Sequence, residues 1–263
     1  MERVELTSVD GLELEAVLHA AEPPAIRGSV LLAHGVTVDL DEGGGMFVRL
    51  ADRLAEVGFD VVRFSFRGHG GSGGTQRGVT IAGECLDLQA AVELVRRRCA
   101  GPLSVVAASF GAVPTLLSLR WLEEGLHRLV LWNPVLDLRH TFLEPELPWG
   151  VENFGPIPQK QLQNKGFLVV DGEFELGRVL FGEFEHYRPA DDFATSQVPA
   201  LIVHGDQDGA VSYPIAAETA WKRPGTQLHT VVGSDHGFDS REREDEAITV
   251  TAEWLVEQSP TMS

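Results

Sequence analysis

The sequence predicts an α/β fold: a mostly parallel central sheet with helices on both faces, interrupted by one insertion. Three observations carry that expectation. Short, continuous apolar runs recur at residues 29–33, 103–108, 128–132 and 199–203, as strands buried on both faces require. Helical periodicity recurs between them, so strands and helices alternate. Reactive side chains stand just past the ends of these runs, where open α/β sheets hold their ligands.

Taken in order, residues 4–9 and 12–19 alternate apolar and polar around Asp10-Gly11, the pattern of a hairpin. Pro23-Pro24 breaks that pattern. The buried run 29–33 ends in His34-Gly35-Val36-Thr37, and an acidic, glycine-rich loop follows. Phe47, Leu50, Ala51, Leu54 and Val57 share one helical face, and Gly58 stops that helix. Residues 60–66 read as the next strand. The loop 67–74 holds too many glycines for regular structure. No helix follows it at once, so it does not read as a phosphate-binding motif. A helix is expected over 84–99, with Arg96, Arg97 and Arg98 at the negative end of its dipole. Strand 103–108 leads into a turn at Ser109, a helix over 111–121 and a strand over 128–132.

From 134 to 196 the periodicity breaks down, with prolines 134, 145, 148, 156, 158 and 189 scattered among aromatics. One hairpin stands out there, 166–170 and 173–176 around Asp171-Gly172. An apolar insertion of this length reads as a lid or cap. The chain thus divides into core residues 1–133, an insertion 134–196 and core residues 197–263. In the second core segment, strand 199–204 ends in Gly205-Asp206-Gln207-Asp208, and a short helix covers 215–221. Strand 227–232 ends in Gly233-Ser234-Asp235-His236-Gly237. Ala247, Val250, Trp254 and Leu255 mark the final helix, and the last few residues read as a loose tail.

Composition excludes several classes. The 39 acids against 21 bases give a net charge of −18, which would repel a polyanion, so no nucleic acid is expected as a partner. Cys85 and Cys99, if both lie on one helix, are about 21 Å apart, too far for a disulfide. Unpaired cysteines and an N-terminus without an export signal point to a cytoplasmic protein. No apolar stretch reaches membrane-spanning length. No clustered His, Cys and Asp spacing suggests a metal, and no cofactor is expected. A homodimer is compatible with the sequence.

The chemistry centres on Val105-Val106-Ala107-Ala108-Ser109-Phe110-Gly111-Ala112. A strand, a sharp turn and a helix would lift the Ser109 hydroxyl clear of the sheet. Such a turn needs small residues two before and two after the serine, here Ala107 and Gly111. The alternative is a plain strand-to-helix connection with the serine near the N-cap. A serine nucleophile also needs a base, and the base needs an acid to fix its tautomer. Asp206, Asp208 and Asp235 compete for the acid, and His236 closes the order serine, acid, histidine. His34 and His69 read as loop-shaping residues, and His204 as a satisfied core histidine.

With these pieces in hand, the chain resembles the α/β-hydrolase superfamily over nearly its whole length. It is most similar to the small lidded serine esterases that include the cinnamoyl and feruloyl esterases. The matching pieces are His34-Gly35-Val36-Thr37, Arg67-Gly68-His69-Gly70, Ala107-Ala108-Ser109-Phe110-Gly111, His204-Gly205-Asp206-Gln207-Asp208 and Asp235-His236-Gly237. The resemblance implies a triad of Ser109, Asp208 and His236, and an oxyanion hole made by the Val36 and Phe110 N–H groups. Ala107 departs from the usual first glycine of the turn. The insertion matches no particular phenolic-ester site. His34, Trp149 and Phe154 are candidate pocket residues, with Phe167, Phe174 and Phe181 as further aromatics that line a pocket or simply pack the insertion on the body. The expected function is a serine hydrolase that cleaves a small-molecule carboxylic ester or thioester through an acyl-enzyme. The alternatives are a biosynthetic thioesterase or acyltransferase and, from another class, a non-catalytic ligand-binding protein.

Overall fold

The computed structural model describes residues 1–21 and 26–257. The break expected at Pro23-Pro24 and the loose tail expected after the final helix lie outside the described residues.

Eight strands form the main sheet: β1 (Glu2–Arg3), β2 (Ala16–His19), β3 (Gly28–Ala33), β4 (Phe59–Phe64), β5 (Leu103–Ala108), β6 (Leu126–Trp132), β7 (Ala200–Gly205) and β8 (Thr226–Val231). Their spatial order is β1-β2-β4-β3-β5-β6-β7-β8. The first two are antiparallel, and β2 pairs antiparallel with β4. Every other pairing is parallel. All strands from β3 onward therefore point their carboxyl ends at one rim.

The period of two along each central strand divides the core. Leu31, Ala33, Val105, Ala107, Leu129, Leu131 and Ile202 face one side, with helices Ile81–Arg98 and Tyr213–Lys222. Val30, Leu32, Val106, Val130, Trp132 and Val203 face the other, with helices Met46–Glu56 and Arg241–Glu257. The Trp132 indole N–H donates to Thr251 Oγ1 at 2.8 Å, which ties β6 to the last helix. This is why the central strands read as continuous apolar runs: neither face meets water.

Several boundaries differ from the sequence expectation. The N-terminal hairpin is bent into pieces. Leu6–Thr7 pairs with Glu13–Leu14 around the turn, while β1 and β2 join the main sheet. The helix expected from 84 begins at Ile81, because the Thr80 hydroxyl caps it by accepting from Gly83 N–H at 3.0 Å. Cys85 lies on that helix and Cys99 caps its end; both are free thiols, and burial pushes them up to about 12 and about 11. The single helix expected over 111–121 is two, Ala112–Leu117 and Leu119–Leu122, separated at Ser118.

The largest correction concerns 134–196, which is mostly helical rather than irregular. Three of its helices, Pro148–Phe154, Pro156–Lys165 and Pro189–Thr195, begin on a proline. At the first helical position the missing N–H costs nothing and the fixed φ is already helical. Pro148, Pro156 and Pro189 are start signals, not breakers. The expected hairpin is there, Phe167–Val170 with Phe174–Gly177, and both turn residues have positive φ, Asp171 at 52° and Gly172 at 77°. The insertion shares an apolar cluster with the rim of the sheet, in which Phe142, Phe154, Leu176 and Phe184 meet Val36 and Phe110. Among the described residues, no helix is long and apolar enough to cross a membrane.

Candidate active site

The site begins where β5 ends. Ala108 is still extended, and Ser109 turns to φ 48°, a left-handed conformation that a serine holds only when its surroundings enforce it. Two contacts do so. The Ser109 carbonyl accepts from Val135 N–H at 3.1 Å. The turn after it presses on the end of β3: a Cβ on Gly111 would lie 2.4 Å from the His34 carbonyl oxygen and 2.5 Å from that of Ala33. The position two before the serine differs. The Ala107 methyl is fully buried in the core, so an alanine is accommodated there. Gly111→Val is therefore expected to cost upward of about 3 kcal/mol through clashes with backbone that cannot yield. Chemical denaturation would measure it, and a midpoint close to that of the unaltered protein would contradict this account.

The hydroxyl of Ser109 stands 3.1 Å from His236 Nε2. The other ring nitrogen, Nδ1, is 2.8 Å from Asp208 Oδ2. Asp208 is fully engaged. Its Oδ1 accepts from the Ala210 and Val211 N–H groups, both at 2.8 Å, and its Oδ2 also accepts from His204 Nε2 at 3.0 Å. Burial pushes the Asp208 carboxyl up, but the charge of His236 and the hydrogen bonds from both imidazoles overcome this and hold it well below the usual carboxylate range. For His236, burial lowers the pKa while Asp208, Glu42 and Asp235 raise it, and the net is a value above that of an ordinary histidine.

The two rival acids do something else. Asp206 Oδ1 accepts from Gly233 N–H at 2.6 Å. Asp235 Oδ1 accepts from the N–H groups of Gly209 and His236, both at 2.7 Å. Each clips the loop after β7 to the loop after β8, which holds His236 over Asp208.

The expected pocket residues divide. Trp149 lines the cavity beside Ser109, its indole N–H donating to Asp171 Oδ1 at 2.7 Å. His34 does not line it. Its Nδ1–H donates to the Gly35 carbonyl at 2.6 Å, its Nε2 accepts from Phe66 N–H at 2.9 Å, and its ring is buried. Burial and the neighbouring His69 push its pKa well below the ordinary value, so it is a neutral strut under the loop. Phe154 is fully buried behind the wall, with its ring 4.9 Å from Phe142 and 5.4 Å from Trp149. Phe174 stacks on His69, and Phe167 lies under the Arg77 guanidinium.

Two cavities meet at Ser109 and His236. The smaller, about 60 Å³, is lined by Met46, Ala108, Trp132 and Phe238. The larger, about 180 Å³, lies between the rim (Val36, Val135, Val211) and the insertion (Phe142, Trp149, Asp171). Glu42 borders both. No Lys or Arg is among the residues lining either one. Among the described residues, no group of three or more His, Cys, Asp or Glu is arranged to hold a metal ion. Sequence reasoning missed Glu42 and the contact of His204 with Asp208. His204 carried a readable signal, a polar residue closing a buried strand four positions before Asp208. The position of Glu42 depends on a backbone conformation that no local pattern announces.

Comparison with known proteins agrees with this architecture. The family model described as serine aminopeptidase, S33 matches residues 24–169, a span that includes Ser109 and stops short of Asp208 and His236. No curated protein sequence matches the chain. Among solved structures, Est1E from Butyrivibrio proteoclasticus with ferulic acid bound superposes with a TM-score of 0.81 at 21% identity, covering 97% of this chain and 98% of that one. The Pf2001 esterase of Pyrococcus furiosus gives 0.73 at 19% identity over 98% and 91%. Alpha/beta hydrolase domain-containing protein 10 from mouse gives 0.76 at 17% identity over 98% and 99%. At these identities the likeness is one of fold.

Proposed function

The chain belongs to the serine aminopeptidase, S33 family and is a serine hydrolase of the α/β-hydrolase fold; on that premise we propose that it cleaves carboxylic esters through Ser109, His236 and Asp208. The observation that carries this reading is the unbroken chain of hydrogen bonds from Ser109 Oγ through His236 to a buried, ionised Asp208, beside a largely apolar cavity. His236 Nε2 takes the hydroxyl proton as Ser109 Oγ bonds to the acyl carbon. The N–H groups of Val36 and Phe110 receive the oxygen that becomes negative. His236 then gives its proton to the leaving oxygen, and the alcohol departs. Water, giving a proton to the same nitrogen, attacks the acyl-enzyme, and collapse returns the proton to Ser109 and frees the acid. The insertion 134–196 serves as the lid that shapes the larger cavity.

The test is turnover of nitrophenyl esters from acetyl to decanoyl, with feruloyl esters included because of the fold shared with Est1E. Serine-dependent hydrolysis of any of them supports the reading, and the chain-length profile reports the cavity. Thioester cleavage or acyl transfer by the same groups would appear as activity on acyl thioesters, or as new esters when competing alcohols are added.

A second reading comes from the family's own description. An aminopeptidase must hold a substrate ammonium, and Glu42 and Asp171 offer carboxylates in a cavity with no lining cation. Aminoacyl nitroanilides separate the two: hydrolysis of these in preference to esters would replace the esterase reading.

The base also predicts a pH dependence. Catalysis needs neutral His236, and its pKa is raised, so protonation removes the base at a higher pH than for an ordinary histidine. The acid limb of kcat/KM is expected to have its midpoint above about 6.5. A midpoint well below that value would contradict the arrangement.

A further inference from the structure

We infer that Glu42 is a positioning residue of this active site: its carboxylate fixes the loop that carries the Val36 N–H and supplies negative charge beside His236. The inference rests on the serine-hydrolase reading and deepens it.

Three observations support it. Glu42 adopts φ 58° and ψ 166°, a backbone region that glycine enters freely and other residues enter only under constraint. The strain has a visible result. It turns the side chain back so that Oε2 accepts from Gly35 N–H at 2.8 Å, while Oε1 accepts from its neighbour Gly43 at 3.1 Å. Gly35 is the residue that must not move. A Cβ there would lie 3.2 Å from Ser109 Cβ, and the next residue, Val36, carries the proposed oxyanion donor. A carboxylate on the Gly35 N–H therefore sets how far the loop stands from the nucleophile.

The second role is electrostatic. Glu42 and His236 line both cavities together. The charged groups facing His236 are Asp208, Glu42 and Asp235, all acids. Burial raises the pKa of the Glu42 carboxyl above its ordinary value; the Gly35 and Gly43 N–H groups and His236 favour its ionised form, and Asp39 opposes it. Beyond Gly44, Arg49 and Glu244 pair with one another. Glu42 thus adds to Asp208 in stabilising the imidazolium that forms as Ser109 attacks.

The experiment uses the rate of Ser109 phosphonylation by a fluorophosphonate as its readout. This reaction needs the same base and oxyanion donors and presupposes no substrate. The whole protein and Ser109→Ala are run first. If the whole protein labels no faster than Ser109→Ala, the catalytic reading fails, and the inference about Glu42 with it. If it labels, two variants decide. Glu42→Gln keeps an acceptor for Gly35 and loses the charge. Its plateau rate is expected within about fivefold of the unaltered protein, with the acid limb moved about half a unit or more to lower pH. Glu42→Gly relieves the backbone and removes the carboxylate. It is expected to melt at the same temperature or higher, yet to label about 100-fold more slowly, the scale of one lost oxyanion donor. An unmoved acid limb in Glu42→Gln together with a plateau in Glu42→Gly within threefold of the unaltered protein would overturn the inference, and would reduce Glu42 to a turn residue.

Discussion

Ser109→Ala is expected to lower turnover about 10⁶-fold while leaving the fold intact. The size of the effect follows from how the residue is held. Ser109 sits at φ 48° at the end of β5, with its hydroxyl 3.1 Å from His236 Nε2. Among the described residues, no other hydroxyl is hydrogen-bonded to His236, so no such neighbour takes over the attack. Alanine removes one oxygen from a turn already built around small residues, so the melting temperature should stay within a few degrees. The residual rate would come from the oxyanion donors and from substrate binding alone. The measurement is kcat/KM on the best ester of the panel, with intact mass after fluorophosphonate treatment. One adduct on the unaltered protein and none on Ser109→Ala is the expected pattern. Undiminished turnover by Ser109→Ala would remove the serine from the mechanism.

Asp208→Asn should cost about 10⁴-fold in kcat, by a different route. Among the described residues the Asp208 carboxylate has four partners, all N–H groups: Ala210 and Val211 on Oδ1, His204 and His236 on Oδ2. An amide offers one acceptor oxygen, with an NH₂ group in place of the other, so it cannot satisfy all four. With its NH₂ toward Ala210 and Val211, two backbone donors face a donor. With its NH₂ toward the imidazoles, it donates to His236 Nδ1 and moves the ring proton to Nε2, where it faces Ser109. A histidine in that tautomer cannot accept the serine proton. Stability should fall as well. The Asp208 pKa is depressed in the folded protein, so its ionised form contributes stability that is present above the unfolded value, about 3.9, and is lost as pH falls toward the folded one. The variant loses that contribution at neutral pH. Kinetics and thermal melts on Asp208→Asn beside Asp206→Asn make the test. If Asp206→Asn cost the larger share of kcat, the acid would have to be reassigned.

These two expectations draw on different levels of information. Ser109 is legible in a few residues, because an apolar run ending in a serine between Ala107 and Gly111 has few other uses. The choice among Asp206, Asp208 and Asp235 is not legible locally. All three sit in short polar loops past strand ends, and all three accept backbone or imidazole hydrogen bonds. Which of them faces His236 Nδ1 depends on how the loops after β7 and β8 lie against each other. The insertion taught a related lesson. Its three leading prolines each satisfied the rule for a helix start, but without a clear apolar period behind them they read as breaks.

The sequence by itself determined the layered α/β architecture, the parallel strands with both faces covered, the serine turn and the rim on which the polar residues gather. Those features rest on periodicity and turn stereochemistry, which act over a few residues and are written in the chain directly. Tertiary structure alone decided that His34 is a neutral strut under the loop, that Phe154 stands behind Trp149, that His204 shares Asp208 with His236, and that Glu42 reaches back to Gly35. All but the first of these bring together groups that the chain separates by several to many residues, and even His34 is fixed in part by Phe66, 32 residues on. Their distances are set by the register and twist of the whole sheet and by how one loop packs on the next. No local pattern carries that information, because the same short segments would be stable with their side chains turned elsewhere.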